Sequence, residues 1–159
     1  MSTPTSATTV RHEIVVDAPI DRAFSTFTKD FGAFKPPEHN ILAVDLAETV
    51  FEPRVGGRLF DRGVDGSECT WARVLAYEPP DRVVISWDLN SQWKPDTTVS
   101  SEVEVRFIAE GPNATLVELE HRKFERMGAE AGASMRKDVD GGWPRILEYF
   151  RQAAEAASG

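Results

Sequence analysis

Apolar and polar residues alternate along much of the chain, which predicts a series of β-strands. The alternation is clearest in residues 99–108, where Val103, Val105 and Phe107 are separated by charged side chains, and in residues 114–122. Successive side chains of a strand point to opposite faces, so each segment has one apolar and one polar face. This pattern is typical of an antiparallel sheet with one face in water.

Turn signals divide the rest of the chain into strands of similar length. Asp65-Gly66 is the strongest hairpin signal, and Gly56-Gly57 and Pro79-Pro80-Asp81 mark further turns. The predicted strands cover residues 10–16, 48–53, 58–63, 68–77, 82–89, 99–108 and 114–122.

Two segments have helical periodicity instead. A short amphipathic helix is predicted from Ile20 to Phe27, and a longer helix ends the chain. The apolar stripe of the longer helix consists of Trp143, Ile146, Leu147 and Phe150. Asp140-Gly141-Gly142 predicts a break before it, with Pro144 in the first turn. Residues 125–139 are compatible with either a helix or a mobile lid.

This order of elements predicts an α+β fold in which a curved antiparallel sheet wraps around the C-terminal helix. We expect residues 1–9 to be a disordered tail and residues 10–157 to form one domain. One helix does not fill the concave side of so long a sheet, so a cavity beside the helix is expected.

Charge and composition limit the possible partners. The 159 residues have a formal net charge of −8 and no dense basic stripe, which argues against nucleic acid as a partner. No apolar run approaches the length of a membrane span, and the N-terminus does not have the pattern of a signal peptide. Cys69 is the only cysteine, so the expected location is the cytoplasm. The chain is expected to be a monomer, or a homodimer through its sheet edges.

Five stretches, in order, resemble the family related to the C-terminal domain of the activator of Hsp90 ATPase, within the START-like or SRPBCC superfamily. They are VDAPIDRAFSTFT within residues 15–28, EPRVGGRLF at 52–60, LAYEPPDRVVISW at 75–87, TLVELEHRKF at 115–124 and GGWPRILEYF at 141–150. HRKFERMG and GWPRIL also resemble the actinobacterial branch that includes enediyne self-resistance proteins, which bind a reactive antibiotic and are consumed by it. The resemblance implies the helix-grip fold and a ligand cavity, but no single chemistry.

No catalytic or cofactor motif was recognised, so no catalytic residue, cofactor or metal is predicted. A nucleophile elbow, a Walker loop and a dinucleotide fingerprint are all lacking. His12, His39 and His121 are far apart and have no metal-ligand spacing. Cys69 has no neighbouring base and is expected to be inert.

The candidate ligand-binding residues are those expected on the inner face or at its mouth. They are Trp71, Arg73, Trp87, Phe107, His121, Trp143, Phe34 and Met127, with Phe31 and Met135 as further mouth residues. The aromatic members suit a flat apolar ligand, although plain core packing explains them equally well. Trp71 and Arg73 have the same parity, and the sequence does not tell which face they are on.

His121 is expected to point inwards, as a ligand contact, a proton-transfer group or a structural histidine. Gly111 lies in the turn between the last two strands. In a self-resistance protein it would offer an abstractable α-hydrogen to a ligand radical, whereas its simpler role is to permit the turn.

Three functions are compatible with these features. The first is non-catalytic binding of a hydrophobic or aromatic, polyketide-like molecule, with antibiotic self-resistance as a special case. The second is a cyclase or aromatase that uses His121 or Arg73 to polarise a carbonyl. The third is an Hsp90-associated module, for which we would expect an additional N-terminal domain that this chain lacks.

Overall fold

The computed structural model describes residues 9–34 and 44–156. Residues 1–8 of the predicted tail and His39 lie outside these ranges. The strands are β1 (Val10–Val16), β2 (Leu46–Phe51), β3 (Arg58–Gly63), β4 (Glu68–Glu78), β5 (Arg82–Trp87), β6 (Ser101–Gly111) and β7 (Ala114–Arg122). The α-helices are α1 (Ile20–Thr28), α2 (Phe31–Phe34) and α3 (Ala129–Ala156), with short 3-10 helices at Thr97–Val99 and Phe124–Met127.

The seven strands form one antiparallel sheet in the order β1-β7-β6-β5-β4-β3-β2. Alternation sets which side chains are inside: Val105 pairs with Leu119 and Val103 pairs with His121, and all four are buried. The sheet curls around α3, which confirms the predicted α+β helix-grip fold.

The inner face of the sheet and the helices enclose one apolar core. Phe27 of α1 packs against Phe107 of β6 at a ring-centroid distance of 5.9 Å and against Phe150 of α3 at 5.3 Å. Each large aromatic side chain that is fully buried at this junction stabilises the fold by roughly 2–3 kcal/mol.

Helix α3 is longer than predicted, because it runs without a break through Asp140-Gly141-Gly142 and Pro144. The predicted helix break is therefore wrong. Each glycine costs about 1 kcal/mol in a helix, but the buried stripe continues upstream through Met135 and Val139 and outweighs that cost. Residues 125–139 are accordingly the end of a 3-10 helix followed by the first turns of α3, not a lid.

A bulge in β4 determines on which face of the sheet Trp71 and Arg73 lie. The register between β3 and β4 shifts so that Leu59 pairs with Ala72 while Phe60 pairs with Thr70, which leaves Trp71 as the extra residue. Trp71 and Ala72 are consequently both buried, and Arg73 lies on the outer face.

Two glycines of α3 provide a matched test of this packing. A Cβ at Gly132 would lie 2.4 Å from the carbonyl oxygen of Phe124, whereas a Cβ at Gly141 would have no atom within 4 Å. We expect Gly132→Ala to lower the free energy of unfolding by about 1–3 kcal/mol, because backbone must move. Gly141→Ala should raise it by about 0.5–1 kcal/mol. Urea denaturation of both variants measures this, and equal effects would contradict the described helix–loop contact.

Candidate ligand-binding site

Aromatic rings from the sheet and from α3 meet beside the ends of β5 and β7. We call Trp71, Trp87, Trp93, His121, Phe124 and Trp143 the aromatic cluster. Trp87 is at its centre, with ring centroids 5.3 Å from Trp71, 5.1 Å from His121, 5.6 Å from Trp143 and 6.2 Å from Trp93. Tilted and edge-to-face pairs of this kind contribute about 0.5–1.5 kcal/mol each beyond their buried area.

Strand register brings the cluster together. Trp87 is the last residue of β5 and pairs with Ser101, the first residue of β6. His121 lies near the end of β7, and its Nε2 is 2.8 Å from the Ser101 hydroxyl. Trp143 approaches from the middle of α3. The cluster therefore lies at the end of the hairpin opposite the turn at Gly111.

His121 is neutral, and both of its ring nitrogens are engaged. The indole N–H of Trp143 can only donate, so Nδ1 of His121 is the acceptor across 3.2 Å, and Nε2 carries the proton towards Ser101. The residue is fully buried, and desolvation lowers the pKa of His121 to about 3. A histidine with no free nitrogen and no charge at neutral pH is a structural element of the site, not a proton shuttle.

The indole N–H groups of the cluster differ in their partners. Trp71 donates to Asp61 across 3.2 Å, Trp143 donates to His121, and Trp93 donates to Asp138 across 3.4 Å. Trp87 is only 7% exposed, yet among the described residues no acceptor lies within reach of its Nε1.

Trp93 is the most exposed tryptophan of the cluster and contacts Trp87. It belongs to the loop after β5, is 37% exposed, and has a φ of 60°, which is uncommon for a residue with a bulky side chain. Its ring contacts Trp87, and its Nε1 reaches α3 at Asp138. The cluster thus extends from the core to the surface at this residue.

Arg73 is directed away from the cluster. Its Nε and Nη2 donate to the two carboxylate oxygens of buried Asp88 across 2.9 and 3.1 Å, and this pairing raises the pKa of Arg73. Arg73 could anchor a ligand only if its side chain pointed inwards. The structure places this side chain on the outer face instead.

Phe107 and Phe34 belong to a group of rings around α1, which meets the aromatic cluster through Phe31 at a ring-centroid distance of 5.9 Å from Trp71. Phe107 contacts Phe24 at 5.1 Å, and Phe34 contacts Phe150 at 5.5 Å. Met127 is buried at the end of its 3-10 helix, and Phe31 and Met135 are also buried. Of the predicted candidates, the cluster unites Trp71, Trp87, His121 and Trp143. The predicted cavity beside the helix remains a prediction, since the described rings contact one another there.

Trp93 and Phe124 are two members that the sequence reasoning missed. Phe124 packs on His121 at 4.6 Å. The sequence did contain a signal for Trp93, which is a tryptophan in the polar loop at residues 90–96. A large aromatic residue outside any predicted strand or helix indicates a contact that the periodic pattern does not explain.

A concavity of about 650 Å³ lies on the other side of the sheet, lined mostly by outward-facing charged residues of β1, β6 and β7, together with His12 and Leu119. Burial alone would raise the pKa of Glu104, but hydrogen bonds from Arg122, Arg82 and Arg106 outweigh it and lower the pKa to about 2. The charges here already pair with one another, so this face resembles a structural ion network more than a ligand site.

Gly111 is exposed at the far end of the same hairpin, with a φ of 150° and open space where a Cβ would be. Gly111 and Ser101 are the two end residues of the eleven-residue strand β6, so they lie roughly 30 Å apart along the strand. The described residues contain no group of three or more metal-ligating side chains and no helix long and apolar enough to cross a bilayer.

A curved antiparallel sheet that encloses a C-terminal helix and an aromatic interior defines the helix-grip class of proteins. Residues 17–155 match the model of the Activator of Hsp90 ATPase homolog 1-like (AHSA1) family, and the chain therefore belongs to this family. The comparison with curated proteins gave no match.

Three solved structures of related sequence share the fold. The anthrahydroquino-γ-pyrone synthase Txn09, complexed with SUM, is 35% identical, with 92% of this chain and 96% of that chain covered and a TM-score of 0.65. The self-sacrificing resistance protein CalC of Micromonospora echinospora is 30% identical over 94% of this chain and 96% of that chain, with a TM-score of 0.69. CalU16 of the same organism is 26% identical over 92% and 75%, with a TM-score of 0.56.

The neutral state of His121 predicts a distinct pH dependence of stability. Its pKa is about 3 in the folded protein and 6.5 in an unfolded chain, so below pH 6.5 only the unfolded state gains the proton. Stability should fall by roughly 2–3 kcal/mol between pH 6.5 and 4.5, and this loss should be absent in His121→Gln. Glu104, whose pKa is lowered from 4.5, changes the stability mainly below pH 4.5.

Urea denaturation of the wild type and of His121→Gln across this pH range provides the measurement. Equal slopes for wild type and His121→Gln would contradict the buried neutral state.

Proposed function

We propose that this protein binds a hydrophobic or aromatic small molecule of polyketide type, without turnover, at the aromatic cluster. The observation that carries this proposal is the continuity of the cluster from the buried Trp143 to the exposed ring of Trp93. Aromatic side chains that reach the surface provide flat apolar area and a route into the interior.

The chemistry of the cluster favours an uncharged or delocalised ligand. His121 is neutral, and Arg73 is held on the outer face by Asp88. With no free cation described among the rings, recognition would rest on stacking, dispersion and individual hydrogen bonds.

The relatives support a small molecule over a protein partner. Of the similar structures, one is a synthase of an aromatic γ-pyrone complexed with SUM, and another is a self-sacrificing resistance protein. Both align over more than nine tenths of this chain.

A neutral tricyclic probe, 2-(hydroxymethyl)anthraquinone, tests this proposal. At 100 times its Kd, a ligand selective for the folded state adds about 2.7 kcal/mol, which corresponds to a rise in Tm of roughly 5–10 °C for a chain of this length. Saturable one-to-one binding and full recovery of unchanged probe are expected.

Amide and side-chain NMR spectra locate the bound probe. The four tryptophan indole signals should shift during the titration, while the Nε–H signals of Arg82 and Arg106 on the outer face should not. Arg106→Ala should bind with unchanged Kd. Shifts confined to the arginine signals, or no rise in Tm with any polycyclic probe, would refute binding at the cluster.

A cyclase is the second candidate, because Txn09 is itself a synthase. His12 and Asp140 form a half-buried pair with 2.9 Å between Nε2 and Oδ1, and His12 pairs with Leu119, two residues from His121 along β7. A histidine oriented by a carboxylate is suited to proton transfer.

Cyclisation of 1-(2-hydroxyphenyl)-1,3-butanedione to 2-methylchromone, with loss of one water, separates the two candidates. A binding protein leaves the uncatalysed rate unchanged. Multiple turnovers that are lost in a folded His12→Gln variant would favour the enzyme instead.

Self-sacrifice at Gly111 is a narrower version of the binding proposal. Since Gly111 is roughly 30 Å along β6 from the cluster, it requires a ligand that reaches the β6–β7 turn. Mass spectrometry after exposure to an activated enediyne should then find cleavage beside Gly111 in the wild type and less in Gly111→Ala. An intact wild-type chain would exclude this version and leave binding itself unaffected.

A further inference from the structure

The indole N–H of Trp87 is a polar group whose burial is not compensated within the described structure. Trp87 is 7% exposed, and its Nε1 is fully enclosed without a hydrogen-bond partner. A buried donor left unpaired costs about 1–3 kcal/mol. Native proteins keep few such groups, and each one needs a physical reason.

The neighbouring tryptophans show that this cost is avoidable at this place in the fold. Trp71 and Trp143 are each 2% exposed, and their N–H groups donate to Asp61 and His121 across 3.2 Å. A phenylalanine at position 87 would remove the unpaired donor, at the cost of a smaller ring in the centre of the cluster. Unlike its two neighbours, the N–H of Trp87 has no acceptor among the described residues.

Trp93 is the partly exposed neighbour of Trp87 in the aromatic cluster. It is the exposed ring that contacts Trp87, its backbone has a left-handed φ of 60°, and its own N–H reaches Asp138 only at 3.4 Å. A long hydrogen bond at the surface is weak, and displacement of this ring uncovers Trp87.

We propose that Nε1–H of Trp87 donates a hydrogen bond to a carbonyl, quinone or phenolate oxygen of the bound aromatic molecule, which enters where Trp93 covers the cluster. This inference rests on the proposed ligand-binding function and adds the chemical feature that selects the ligand. An acceptor oxygen in line with the indole would supply the missing partner, and a flat ring attached to it would stack on the neighbouring aromatics.

A pair of probes that differ only in two carbonyl oxygens tests this step. In the wild type, 2-(hydroxymethyl)anthraquinone should bind at least tenfold more tightly than 2-(hydroxymethyl)anthracene. In Trp87→Phe the preference should fall to about onefold. In the control Arg106→Ala it should persist, because Arg106 lies on the outer face of the sheet and pairs with Glu104.

Two further measurements keep the test independent of folding defects. Trp143→Phe should have a lower Tm than Trp87→Phe, because only the first change breaks a hydrogen bond. In the wild type, the indole signal that is missing from Trp87→Phe should move downfield with the quinone and not with the anthracene.

The possible failures are distinguishable. If both probes bind equally, the proposed function stands and the Trp87 donor has no role in it, as would follow if a buried water held that N–H. Should neither probe bind, both proposals are overturned. Persistence of the quinone preference in Trp87→Phe would also exclude Trp87 as the donor.

Discussion

Burial of one face of α3 against the concave side of the sheet is the interaction on which the rest of the structure depends. The stripe runs from Met135 to Ala154, far beyond the segment with clear helical periodicity. Because its members are buried only while the helix is continuous, packing keeps α3 helical through two glycines and a proline. The same helix packs along β1 and reaches β7 through the bond from Trp143 to His121, which gives the sheet an inside and an outside.

Separation of the two faces then determines where charge is tolerated. Outside, Glu104 is nearly buried but is bonded by three arginines, which hold its pKa at about 2. Inside, the described hydrogen-bond partners of His121 are Ser101 and Trp143, and its buried imidazole is neutral. At His121 the interior therefore offers polar contacts as single, directed hydrogen bonds. Any ligand chosen there is selected by shape, aromatic surface and the position of its acceptor atoms.

Much of the fold could be predicted from the sequence, because its determinants are local. The alternation in residues 114–122 has the same bounds as β7, and the order of strands and helices follows from turn signals. The helix break was wrong because local propensity at Gly141 and Gly142 was outweighed by distant contacts. The inner placement of Trp71 depends on a one-residue bulge that leaves no trace in the alternation.

The site was less accessible to sequence reasoning, since it depends on which rings meet across the sheet. Trp87, His121 and Trp143 could be assigned to the inner face by parity and periodicity. Their hydrogen bonds could not, because the partners Ser101 and His121 are set by strand register and by the rotation of α3. Trp93 lies in a loop without helical or strand periodicity. Its membership of the cluster is evident only from its contacts with Trp87 and Asp138.

An aromatic interior is by itself compatible with a core that does nothing but stabilise. Two properties separate this cluster from such a core: it continues to the surface through a residue in a strained backbone conformation, and its central ring has an unpaired donor. Selection for stability alone would remove the strained backbone and the unpaired donor, because each costs about 1–3 kcal/mol. Both occur at the same contact, between Trp87 and Trp93. Retention of two costs at one contact is the physical ground for placing function there and not among the phenylalanines around α1, where the rings are buried side chains without polar atoms.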